Sequence, residues 1–64
     1  MKWIDTLAIA EQLLDAYPDT DPARINFVDL MDKVMALPGF DDERARCGER
    51  ILEAIQQAWL DERD

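Results

Sequence analysis

Sixty-four residues with a 48% apolar fraction make one small domain, and a chain this short buries only about 60% of the surface it exposes when unfolded. One cysteine, no histidine and no serine exclude an internal disulfide, a zinc staple and a serine nucleophile. Fifteen Asp and Glu against seven Lys and Arg give a net charge of −8, which repels nucleic acid and anionic membrane and favours a basic protein surface or a cation.

Glycine and proline divide the chain into three helical stretches. The first is predicted from Thr6 to Ala16, where Ile9, Ala10, Leu13, Leu14 and Tyr17 fall on one helical face and Glu11, Gln12 and Asp15 lie opposite. Asp5 or Thr6 can cap its start, and Pro18 ends it, because the residue before a proline disfavours the helical region. Asp19-Thr20-Asp21-Pro22 then reads as a turn, with Asp21 and Pro22 able to open a single helical turn through Arg24. Ile25-Asn26-Phe27 alternates apolar and polar, which suggests a short extended piece too isolated to make a sheet.

The second helix is predicted over Val28 to Leu37, with Phe27, Leu30, Met31, Val34 and Leu37 as its apolar stripe. Pro38-Gly39 stops it, and Phe40 is expected to fold back onto the core. A third helix follows from Gly48 to Glu62, with Asp42 as an alternative start, and buries Ile51, Leu52, Ile55, Ala58 and Trp59. Trp3 is expected to pack against the first or the third helix. The fold class is therefore all-α: one small domain over residues 1–64 built from three amphipathic helices.

Gly39 and Gly48 are the only glycines, so no glycine-rich phosphate loop can form. Cys47, Thr6 and Thr20 have no histidine base to activate them, and no enzyme activity is expected. Arg44, Arg46 and Arg50 flank Cys47, and with a nearby helix start they would lower the thiol pKa. No stretch approaches the roughly 20 apolar residues of a membrane span, and no signal peptide follows Met1-Lys2. Both features suit a soluble protein of a reducing cytoplasm.

The acids come in small groups that hard cations could use. Glu11 and Asp15 share a helix face, Asp19 and Asp21 sit in the next turn, Asp29 and Asp32 lie on the second helix, and Asp41-Asp42-Glu43 are consecutive. The loop from Asp19 is no EF-hand, since Arg24 stands at the glycine position and Leu30 at that of the bidentate glutamate. Asp61 and Glu62 lie in the last turn of the third helix, against its dipole, where they contribute nothing obvious to the fold.

Four segments carry a family resemblance: Leu14-Asp15-Ala16-Tyr17-Pro18-Asp19-Thr20-Asp21-Pro22, Phe27-Val28-Asp29-Leu30, Phe40-Asp41-Asp42, and Ile51-Leu52-Glu53-Ala54-Ile55-Gln56-Gln57-Ala58-Trp59-Leu60-Asp61-Glu62. With this spacing the chain resembles the IscX family, small acidic proteins of bacterial iron–sulfur cluster assembly, from Trp3 to Glu62 without a gap. The resemblance implies a winged-helix-like helical fold, here without a developed wing. It also implies binding to the cysteine desulfurase IscS, regulation of its sulfur delivery, and further partners in the ferredoxin or scaffold protein of the same system. The acids that match the family pattern, and that the resemblance points to for partner binding, are Asp19, Asp21, Asp29, Asp41, Asp42, Asp61 and Glu62; Asp32, beside Asp29 on the second helix, joins them as a partner-binding candidate on charge alone. The rival reading is a weak ferrous-iron adaptor or donor with Glu11, Asp15, Asp19 and Asp21 as ligands and no tightly bound cofactor. The chain departs from the family pattern at Val28, where a capping threonine is usual, at Met31-Asp32-Lys33, where many members carry His-x-Trp, and at Cys47-Gly48, where Ser-Asn is common.

Overall fold

Three α-helices form where the apolar spacing places them, in a computed structural model that describes residues 1–63. Helix α1 spans Thr6–Ala16, α2 spans Phe27–Met35 and α3 spans Glu49–Arg63, with one 3-10 turn at Arg44–Arg46 before α3. Among the described residues there is no β-strand, so the all-α class holds and nothing resembling a wing is formed.

The start of α1 follows from Asp5, whose carbonyl accepts the Ile9 N–H at 2.9 Å. Its carboxylate does not cap the helix; it turns back to accept the Lys2 N–H at 2.8 Å, which ties the N-terminal segment to the helix start. At the other end Tyr17 donates its N–H to the Leu13 carbonyl at 2.9 Å, and Pro18 prevents a further turn. The chain then makes a tight turn in which Asp21 accepts the Ala23 N–H at 3.0 Å and Pro22 is fully buried.

Helix α2 begins earlier than its apolar pattern suggests. Asn26 is extended, but Phe27, expected in an extended piece, is already the first helical residue. The reason is capping: the Asn26 side chain accepts the Asp29 N–H at 2.8 Å and donates to the Asp29 carboxylate at 3.1 Å, so the cap that satisfies this orphan donor stands two residues before Val28. A threonine at position 28 would not cap this helix, and Val28 is instead 61% exposed. The helix ends at Met35, and Leu37-Pro38-Gly39-Phe40 forms a turn closed by the Phe40 N–H to the Leu37 carbonyl at 3.2 Å. Gly39 occupies the left-handed region at φ 80°, the position where such a turn requires glycine.

Asp42 does not begin α3. After the 3-10 turn Cys47 is extended (φ −79°, ψ 137°), which interrupts any continuous helix from Asp42, and the Gly48 carbonyl accepts the first α3 bond from Leu52 at 3.1 Å. Helix α1 packs most extensively against α3, while α2 meets α3 over a smaller area and α1 over the smallest. Their inner faces bury Ile9, Ala10, Leu13, Leu30, Val34, Leu52, Ile55 and Trp59 in one cluster.

Trp3 completes that cluster from outside the helices and is only 1% exposed. Its ring meets Phe40 edge-on, with centroids 4.8 Å apart and planes at 70°. The indole Nε1 donates to the Glu43 carbonyl at 2.8 Å, and the Trp3 N–H donates to the Asp42 carboxylate at 3.1 Å. Main-chain bonds extend the pairing, since the Met1 carbonyl accepts the Asp41 N–H at 2.8 Å and the terminal amine donates to the Gly39 carbonyl at 2.9 Å. The first three residues are thus clamped to the loop after α2.

Candidate functional site

The acids divide into those whose carboxylates are engaged within the fold and those that face water. Asp42 is the most engaged. Besides the Trp3 N–H it accepts the Glu43 N–H at 2.8 Å, and Arg46 approaches at 3.9 Å. Those two backbone donors, assisted by the charges of Arg46 and Lys2 and only partly opposed by desolvation, hold its carboxyl below the ordinary carboxylate value. Asp42 therefore serves as the buckle of the N-terminal clamp, and within the Asp41-Asp42 pair the outward carboxylate is that of Asp41, which is 88% exposed and 3.4 Å from Lys2 Nζ.

Helix α2 engages both of its acids as well. Asp29 is the partner of the Asn26 cap, and Asp32 pairs with Arg44 at 2.7 Å, linking the outer face of α2 to the 3-10 turn. Both members of that pair are more than half exposed, so it contributes little to stability and remains open to exchange with another partner. Asp21 holds its own turn and lies 3.6 Å from Arg24.

One end of the molecule gathers acids that are far apart in sequence. Arg63, in the last turn of α3, donates to the Thr20 carbonyl at 2.6 Å, and Gln56 donates to the Pro22 carbonyl at 2.7 Å. These two bonds fasten the Asp19–Pro22 turn onto the C-terminal half of α3. Asp19 and Asp21 consequently share an end with Asp61 and Glu62, and all four are exposed. Asp61 accepts from Gln57 at 3.0 Å along the helix and stays exposed. Lys33 lies 4.6 Å from the centre of the Tyr17 ring, a cation–π contact that joins α2 to the residue from which this turn departs.

Neither Gln56 nor Arg63 carries a signal in the sequence that would single it out, apart from a basic residue in the last turn of a helix. Ile4 and Leu7 are a second omission from the sequence reading. They fall off the α1 stripe and are 81% and 57% exposed.

The four acids expected to serve as iron ligands do not converge on one point. Among the described residues no three Asp, Glu, Cys or His side chains are placed to hold a metal ion together. Glu11 and Asp15 face solvent from α1, and Asp19 and Asp21 from the turn beyond it.

Cys47 behaves differently from the expectation set by its arginine neighbours. It is half-buried and free, and burial pushes its thiol up, with Arg44 pulling only weakly in the other direction. The extended backbone at Cys47 and the intervening Gly48 keep it ahead of the first turn of α3. It lines a broad open depression with Arg46, Arg50 and Ile51, not an enclosed cleft.

A family model described as iron-sulphur cluster assembly matches residues 1–64 of this chain. The chain belongs to the IscX family. A relative from Pseudomonas aeruginosa, described as uncharacterized protein PA3808, is 53% identical over 64 residues, covering 100% of this chain and 97% of the relative. As an IscX-family member the chain has its role in iron–sulfur cluster assembly. No described helix of this IscX-family chain is long and apolar enough to cross a membrane.

Proposed function

We propose that this IscX-family chain is a non-catalytic cytoplasmic accessory that docks an acidic surface on the cysteine desulfurase IscS and regulates sulfur delivery to cluster assembly. The observation that carries the reading is the acidic end described above. There the Arg63–Thr20 and Gln56–Pro22 bonds hold the Asp19–Pro22 turn at the end of α3 that carries Asp61 and Glu62, so exposed acids surround that end on more than one side. Acids placed against a helix dipole weaken the helix slightly, so their presence is better accounted for by a partner than by folding.

A net charge of −8 steers such a chain toward a basic surface and makes its association sensitive to salt. Once docked, it covers basic surface that an incoming sulfur acceptor would otherwise approach. That is how a protein without a nucleophile–base pair changes the rate of a reaction carried out by its partner. The ferredoxin and the scaffold protein of the same system are the partners with which it would compete or cooperate there. Weak ferrous-iron binding by Glu11, Asp15, Asp19 and Asp21 is the other reading; in it iron is cargo, shared between exposed carboxylates and water.

Calorimetric titration of metal-free protein into purified desulfurase, at low and moderate salt, tests the proposal. The expected result is binding that weakens with salt, and a further loss of about tenfold in affinity for the Asp61→Lys/Glu62→Lys variant. Equal affinity for variant and wild type would refute the assigned surface. Binding that appears only after ferrous iron is added would replace regulation with the iron-adaptor reading.

A further inference from the structure

The start of α1 turns apolar side chains outward to water. Ile4 and Leu7 are two of three large hydrophobic side chains that stand mainly in water, the third being Val28 on α2. Ile4, Leu7 and the exposed Ala8 line one shallow depression, whose other walls are Asp5, Thr6 and Glu11. No Lys or Arg lines it. Asp15 continues the acidic border one helical turn beyond Glu11. The inner side of the same helix already satisfies the core through Ile9, Ala10 and Leu13, all fully buried, so Ile4 and Leu7 are surplus to folding.

From this we infer that Ile4, Leu7 and Ala8 form a second docking surface, for an apolar strip bordered by Lys and Arg on the desulfurase, an inference that rests on the proposed function. Charge selects the occupant. A second copy of the chain would bring another −8 molecule, with its own Asp5, Glu11 and Asp15, against an acid-rimmed patch. A basic-rimmed partner instead meets opposite charge around the edge and apolar surface at the centre, the usual arrangement of an interface core and rim. The patch is small, so it adds a salt-insensitive part to an interface that the acids steer; it does not build one alone.

The test is the Ile4→Gln/Leu7→Gln variant of the full chain, titrated into the desulfurase at the same two salt concentrations as the wild type. Both side chains are exposed, so helicity and melting temperature are expected to stay unchanged. The expected result is affinity lower by about tenfold at both salts, with the wild-type salt slope retained. Reversing Asp61 and Glu62, by contrast, changes that slope. Wild-type binding with undiminished affinity in the Gln variant would overturn this inference and leave the acidic docking intact. Absence of wild-type binding would overturn both. A concentration-dependent dimer of the chain alone, abolished by the same variant, would give the patch to a second copy and refute the assignment.

Discussion

Replacing Trp3 separates the two things this residue does: filling the core and buckling the chain terminus. Trp3→Phe keeps an aromatic ring against Phe40 but removes the Nε1–H that reaches the Glu43 carbonyl at 2.8 Å. Losing one such bond costs about 1 kcal/mol, and the smaller ring leaves space worth about another 1 kcal/mol. For a domain of this size each kcal/mol lowers the melting temperature by roughly 4–8 °C, so a drop of about 8–16 °C is expected. Trp3→Ala removes the whole ring from a site that is 1% exposed. That substitution costs about 3–5 kcal/mol, comparable with the about 3–5 kcal/mol that one core of this size supplies. The Ala variant should therefore be largely unfolded at room temperature, and the Phe variant folded but shifted. Thermal and urea melts followed by far-ultraviolet circular dichroism read both. A Trp3→Ala protein that melts within about 2 °C of wild type would refute the reasoning, because the N-terminal segment would then lie outside the cooperative unit.

Two further substitutions probe the local devices. Asn26→Ala removes the side chain that caps α2 and is expected to cost about 1 kcal/mol, whereas Val28→Thr should leave stability almost unchanged, since position 28 lies inside the helix; urea midpoints of the two variants check the ordering. For Asp42, the folded carboxyl titrates below its ordinary value, so its contribution to stability is complete above that value and disappears as pH falls through the folded pKa. Asp42→Asn should be less stable than wild type at neutral pH, and the difference should shrink on acidification; a constant difference down to strongly acidic pH would contradict the buckle role.

Much of the fold is legible in the sequence because it depends on local periodicity. The stripes Ile9-Ala10-Leu13, Leu30-Val34 and Leu52-Ile55-Trp59 give three helices, and Pro18 ends the first where expected, whereas α2 stops at Met35, two residues short of the expected Leu37 and ahead of the Pro38-Gly39 turn. Where reading by stripe fails, a single side chain or backbone angle decides the outcome. The start of α2 belongs to the Asn26 amide and not to the apolar pattern, which counts Phe27 as a strand residue as readily as a helical one. Cys47 interrupts the run from Asp42 by adopting an extended backbone, although no proline or unusual φ marks the break. Trp3 belongs to no periodic face, so its burial depends on the loop after α2 returning to cover it.

The site is less legible than the fold, and the reason lies in what decides whether a carboxylate is available. In the sequence Asp41 and Asp42 are equivalent neighbours. In the structure one is open to water and the other accepts the N–H of a residue 39 positions earlier. The same holds for Asp32, claimed by an arginine 12 positions later, and for the Asp19 turn, fastened to α3 across the 43 positions between Thr20 and Arg63. Composition fixes how much negative charge a partner meets, but tertiary donors decide which acids carry it outward. Acid reversal should therefore not act uniformly along the chain: a change at Asp61 or Glu62 alters the surface and spares the fold, whereas one at Asp42 opens the N-terminal clamp before any partner is reached.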